Sequence, residues 1–256
     1  MKKLGFTFAL FALTVLPCLA QSSPFAGTWK LDTAKSKFTG DTFTYSTTPS
    51  GLMHYSDGAV DYDFGTDGKA YPTMGNHTVT WNKVDDHTWD SEGKAGDTTF
   101  FKSHRVLSGD GKTLVITYTE LRPDGTTNQG SNTYERVSGG PGLAGTWKNV
   151  KVSAPPDSIS IAIPAAGQIV FEDPSFKVVV SGPTDGSPLI VKGPTVPEGM
   201  VAMYTPEGPN KMDYTIKYKD KPINKGVMSV SGNTLTDTSW VPGKENEKTV
   251  AVYDKQ

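Results

Sequence analysis

The sequence predicts an all-β chain folded as two antiparallel meander β-barrels in tandem, and three observations carry that prediction. First, 27 Gly and 18 Pro sit among many Thr, Val and Tyr in 256 residues. Turn formers mixed with β-branched and aromatic residues suit short strands joined by tight turns. Second, long windows with apolar residues at helical spacing are missing. Third, the phrase Gly27-Thr28-Trp29-Lys30 returns as Gly145-Thr146-Trp147-Lys148, a shift of 118 residues.

The echo continues past that phrase. Thr66-Asp67-Gly68 recurs as Thr184-Asp185-Gly186, Gly111-Lys112-Thr113-Leu114 faces Gly232-Asn233-Thr234-Leu235, and Tyr134-Glu135-Arg136 answers Tyr253-Asp254-Lys255. A period this long is enough for a unit to enclose its own core, unlike solenoid repeats of about 20 to 50 residues. The expected organisation is a signal peptide over 1–20, a barrel over 21–137, a Gly/Pro-rich linker over 138–142 and a second barrel over 143–256.

Within the first unit the strands follow from period-2 alternation punctuated by Asp-Gly turns. They are expected at Thr42–Tyr45, Met53–Tyr55, Val60–Phe64, Thr78–Trp81, His87–Trp89, Thr99–Leu107, Thr113–Thr119 and Asn132–Val137. The second unit keeps the rhythm at 159–163, 168–171, 176–180, 212–219, 226–230, 234–241 and 249–253. About eight strands per unit can close into a small barrel, which removes exposed edges.

The first twenty residues read as an export leader. Lys2 and Lys3 precede an apolar run over Leu4–Leu16, and Ala20 suits a cleavage site. The run falls short of the roughly 20 apolar residues of a membrane span. The expected location is therefore exported, periplasmic or extracellular. Cys18 is the lone cysteine, and Pro17 beside it argues against lipid anchoring there. With no second cysteine, stability must come from packing rather than disulfides. The formal net charge of −2 has no basic stripe in either half, which argues against nucleic acid as a partner.

A Gly-x-Trp opening the first strand of a meander, with a basic residue near the end of the unit, resembles the lipocalin-like (calycin) group. More narrowly, GTWKLDTAKSKF, DGKAYPTMGN and the closing TYERV resemble exported bacterial lipocalin-like proteins. The resemblance implies that each Trp plugs one barrel end beneath a basic side chain. Gly27 and Trp29 are then expected with Arg136, and Gly145 and Trp147 with Lys255. The chain departs from lipocalins in lacking their disulfide and a Thr-Asp-Tyr motif.

Motifs for chemistry are sparse. Gly111-Lys112-Thr113 lacks the upstream glycine of a phosphate loop and reads as a hairpin turn. Asp61 and Asp63 flank Tyr62 on one solvated strand face. The four histidines show no metal-ligand spacing, and no nucleophile signature is present, so neither a metal, a cofactor nor an enzymatic activity is expected. The aromatic residues concentrate in unit one. The residues expected to line a pocket for a small hydrophobic or aromatic ligand are Tyr45, Tyr62, Trp81, Trp89 and Phe101, with His104 as a polar contributor. The alternative is an envelope protein–protein interaction or hydrolase-inhibitor module with filled barrels, motivated by the loop-rich segment 182–197. The sequence names no protein partner.

Overall fold

The computed structural model describes residues 23–155 and 157–256, so the expected leader and Cys18 lie outside the described residues. Among the described residues the chain forms twenty strands and no helix. They make two nearly closed antiparallel barrels of ten strands each, not eight.

The first barrel is continuous in sequence. It runs through β2 (Thr42–Thr47), β3 (Met53–Ser56), β4 (Asp61–Phe64), β5 (Asp67–Pro72), β6 (His77–Lys83), β7 (Thr88–Ala95), β8 (Thr98–Leu107), β9 (Thr113–Leu121), β10 (Thr127–Ser138) and β11 (Gly145–Ser153). The second takes β12 (Ser158–Ala162), β13 (Gln168–Asp173), β14 (Val178–Pro183), β15 (Leu189–Ile190), β16 (Met200–Gly208), β17 (Lys211–Tyr218), β18 (Lys221–Ser231), β19 (Thr234–Trp240) and β20 (Thr249–Lys255). Its tenth strand is β1 (Gly27–Leu31), from the start of the chain.

The expected boundary between units is therefore corrected. The first copy of the repeated phrase does not close the first barrel. β1 lies between β12 and β20, with Trp29 opposite Lys255 on one side and Ile159 on the other. β11, the second copy, lies between β10 and β2, with Trp147 opposite Arg136 and Phe43. Each copy occupies the same slot in the barrel built from the other repeat. The physical reason lies in the connections. Residues 139–144 are a hairpin loop, in which Gly140 N–H donates to Ala144 O at 3.2 Å. A loop that short holds β11 beside β10, because consecutive antiparallel strands pair through tight turns. The expected linker is thus a turn within one sheet, and the chain passes between barrels twice, from β1 to β2 over 32–41 and from β11 to β12 over 154–157.

The exchange keeps two separate cores. Trp29 is fully buried with Phe25, Ile161, Ile169 and Leu235, and Trp147 is fully buried with Phe43, Phe64, Leu114 and Leu143. Their bases are built alike. Each indole N–H donates to the carbonyl four residues earlier, Phe25 or Leu143, at 2.9 Å. Gly27 and Gly145 both hold positive φ, 150° and 145°. At each, a Cβ would run into the basic side chain over the indole, Lys255 or Arg136. The Arg136 guanidinium lies 4.1 Å from the Trp147 ring centre and Lys255 Nζ lies 5.1 Å from that of Trp29. The Gly-x-Trp plug with its cation is present twice, with the partners exchanged.

The barrels meet at the ends opposite these plugs. Gly75 N–H donates to the Tyr218 hydroxyl at 2.7 Å, Lys221 pairs with Asp61 at 3.0 Å, and Lys177 donates to Pro123 O at 3.4 Å. Thr42 donates from N–H and hydroxyl to Glu247, while Lys244 donates to Thr42 O at 2.6 Å. All these groups sit on or beside the hairpins at the two open ends. Segment 182–197, expected to be a free interaction loop, is used internally. Leu189 is buried, Val179 and Lys192 exchange backbone hydrogen bonds that join β14 to the loop after β15, and Pro197 packs near Gly75.

Candidate functional site: two interior cavities

Alternation places side chains of one parity inside each barrel. Above the plug, each barrel keeps unfilled space, and the two spaces differ in chemistry.

The first barrel encloses a cavity of about 580 Å³ whose walls include Phe43, Tyr45, Tyr55, Tyr62, Phe101 and Tyr134. These rings contact one another edge-on or tilted: Phe43 lies 4.8 Å from Tyr134 and Tyr55 lies 5.1 Å from Tyr62. Burial pushes the hydroxyls of Tyr45, Tyr55, Tyr62 and Tyr134 above the usual phenol range, so all four remain proton donors at neutral pH.

Arg105 enters the same space from β8. It is only 8 % exposed, yet no carboxylate lies within 4 Å of it among the described residues. Its Nη1 donates to Ser91 Oγ at 2.9 Å and to Ser103 Oγ, and its guanidinium lies 4.0 Å from the Trp81 ring centre. Its Nε has no hydrogen-bond partner. A buried charge without a counter-ion costs several kcal/mol, offset only in part by such contacts. The carboxylates on the cavity wall sit at the mouth. Asp57 caps its own hairpin by accepting from Ala59 and Val60 N–H, each at 2.8 Å. Glu120, raised in pKa by burial, faces Arg122.

The second barrel encloses about 400 Å³, lined chiefly by Phe171, Val180, Val191, Met200, Ala202 and Met228. One carboxylate stands deep in this apolar space. Asp237 on β19 accepts from the Tyr214 hydroxyl at 3.0 Å and 3.1 Å, and desolvation pushes its pKa up to about 6. Gly226 leaves the room into which the Tyr214 ring packs.

The charged positions correspond. In the first barrel the pair above Leu107–Leu114 is Arg105–Ile116; in the second the pair above Val230–Leu235 is Met228–Asp237. One barrel has placed a cation on the first strand of this pair and the other an anion on the second.

Of the residues expected to line a ligand pocket, Tyr45, Tyr62 and Phe101 line the first cavity. Trp81 and Trp89 are buried beneath it, packed into the core. Trp81 is stacked on Phe64 at 4.3 Å. His104 is corrected outright. It lies on the outer face, half-exposed, with Nδ1 2.7 Å from Asp90 Oδ1. Phe101, Ser103, Arg105 and Leu107 share one parity, so His104 must point away from them. Arg105 and Asp237 are absent from the expected lining, which was chosen from the aromatic residues of unit one with His104 as the polar contributor. Alternation with Leu107 and with Leu235 was the signal that would have found them.

Among the described residues no group of three His, Cys, Asp or Glu is arranged to hold a metal ion, and no helix is long and apolar enough to cross a membrane. No family model matches the chain, and no curated protein matches it. Among solved structures the chain is similar to the di-domain ARO/CYC StfQ from the steffimycin biosynthetic pathway. The identity is 8 %, with 91 % of this chain and 77 % of that chain covered and a TM-score of 0.14. At that score the backbones do not superpose, and the match says nothing of what this chain binds.

Proposed function

We propose that this chain is an exported lipocalin-like binding protein rather than an enzyme, and that its first barrel holds a small aromatic ligand carrying an acidic group. The observation that carries this reading is Arg105. A desolvated guanidinium at the side of an aromatic cavity, with an unpartnered Nε and no carboxylate in reach, is set to receive an anionic oxygen. The rings supply area and edge-to-face contacts, and about 580 Å³ falls within the usual range of small-molecule sites. The leader read in residues 1–20 supports export.

The test is a calorimetric titration with 2-naphthoate and with 2-naphthylmethanol, which share a ring system and differ in charge. The acid is expected to bind at least tenfold more tightly. Arg105→Met should abolish that preference without lowering stability, because Ser91 and Ser103 still bond each other at 2.7 Å. Equal binding of acid and alcohol, or a preference that survives Arg105→Met, contradicts the reading.

A further inference from the structure

The second barrel carries a separate site of opposite charge preference. We infer that the cavity between Tyr214 and Met228 binds an amphipathic organic ammonium ion, its head on Asp237 and its tail among the aliphatic walls.

Five observations support this. The space is real, about 400 Å³, and its walls are mostly hydrocarbon from Val180, Val191, Ala202 and Met228. Asp237 is the deepest ionisable group in it apart from the tyrosines, and no Lys, Arg or His lies within 4 Å of its carboxylate. Its one hydrogen-bond donor is the Tyr214 hydroxyl, which leaves acceptor positions on both oxygens open, since an ionised carboxylate offers about four. The second carboxylate on the wall, Asp173, accepts from Ser175 and Phe176 N–H at the mouth. No cationic side chain lines the cavity, so the two carboxylates are the charged groups on its wall.

A core selected only for packing would place an apolar residue at this position, as the first barrel does with Ile116. An ionised acid in hydrocarbon walls is costly unless a cation meets it. An ammonium with an apolar tail satisfies both the charge and the walls. A neutral alcohol would satisfy only the walls, and a fatty acid would meet like charge.

Three probes with one tail separate these outcomes: n-octylammonium, n-octanol and n-octanoate, titrated into the full chain at neutral pH. The amine is expected to bind, the alcohol to bind about ten- to a hundredfold more weakly, and the acid not to bind in this barrel. Asp237→Asn, which keeps the Tyr214 hydrogen bond, should remove the difference between amine and alcohol. Asp57→Asn, at the mouth of the first barrel, should leave it intact. Arg105→Met should also leave it intact, so failure of this inference and failure of the first-barrel reading are distinguishable. Equal affinity for amine and alcohol in the native chain overturns the inference, as does a preference for the amine that persists in Asp237→Asn or the absence of any amine binding.

Discussion

The two barrels are alike at the base and unlike in the middle. At the base the same phrase supplies the same glycine with positive φ, the same buried indole and the same indole bond to the carbonyl four residues back. One layer higher the pairs Arg105–Ile116 and Met228–Asp237 differ in both size and sign of charge. The comparison separates two demands on one repeated unit. Closing a barrel end is a packing problem with one good solution, so the copies retained it. The space above the plug is free of that demand, and there the copies diverged.

The cations over the indoles show divergence on a smaller scale. Arg136 donates from Nε to Gly111 O at 2.6 Å, from Nη1 to Gly140 O and Ala144 O at 2.8 Å and 2.5 Å, and from Nη2 to Gly142 O at 2.6 Å. It ties two hairpins together across the plug. Lys255, a single ammonium, covers the Trp29 ring without such a fork.

The largest expected effect comes from removing a plug. Trp29→Ala and Trp147→Ala should each cost about 3 to 5 kcal/mol in urea unfolding, the usual range for a buried Trp. The exchange of strands dictates where the damage appears. Trp29→Ala should loosen the second barrel while the fluorescence of Trp81, Trp89 and Trp147 stays native. Loss of the first barrel's signal instead would break the comparison.

Next comes Asp237. Its folded pKa of about 6 lies above the ordinary carboxylate value of 3.8, through desolvation, against the hydrogen bond from Tyr214. Tyr204, Tyr214 and Tyr253 face it from β16, β17 and β20, and Asp173 shares its cavity. Between those two values the folded chain binds more protons than the unfolded one, so stability falls as pH rises from about 4 to about 6 and stays low above. Asp237→Asn should therefore stabilise the protein by about 2 to 3 kcal/mol at pH 7.5 and hardly at all at pH 4. Thermal melts at the two pH values check this. A variant that destabilises equally at both would assign Asp237 a structural role.

A smaller difference is expected between the cations. Arg136→Lys should cost about 1 to 2 kcal/mol because a lysine cannot satisfy four carbonyls, whereas Lys255→Ala should cost no more than about 1 kcal/mol. Equal costs in denaturant unfolding would mean the two bases are held in the same way. Smallest of all, His104→Ala on the outer face should change stability by less than about 0.5 kcal/mol.

Much of this was legible in the chain. The alternation in Thr42–Tyr45, Thr78–Trp81 and Thr113–Thr119 identified strands and inward aromatics because period-2 patterning has one simple meaning. β5 was hidden, since Asp67-Gly68 and Pro72 read as turn residues. β16 was hidden between Pro197-Glu198-Gly199 and Pro206. The aliphatic cavity of the second barrel went unseen for a different reason: aromatic content pointed elsewhere, and empty space leaves no mark in composition. The strand exchange was illegible in principle from pattern alone. Two copies of one phrase fit either slot equally, and only the loop lengths around Gly140 and across Asp32–Asp41 distinguish the alternatives.

The strand exchange is found together with contacts between the open ends of the two barrels. It can be tested by cross-linking in a Cys18→Ser background. Lys30 lies opposite Asp254, and Lys148, its counterpart in the repeat, lies opposite Glu135. Directly opposed strand residues sit within disulfide reach. Lys30→Cys with Asp254→Cys should form a disulfide within one chain under mild oxidation, while Lys30→Cys with Glu135→Cys should remain reduced. A disulfide in the second pair and not in the first would show that each repeat closes its own barrel, and would contradict the account.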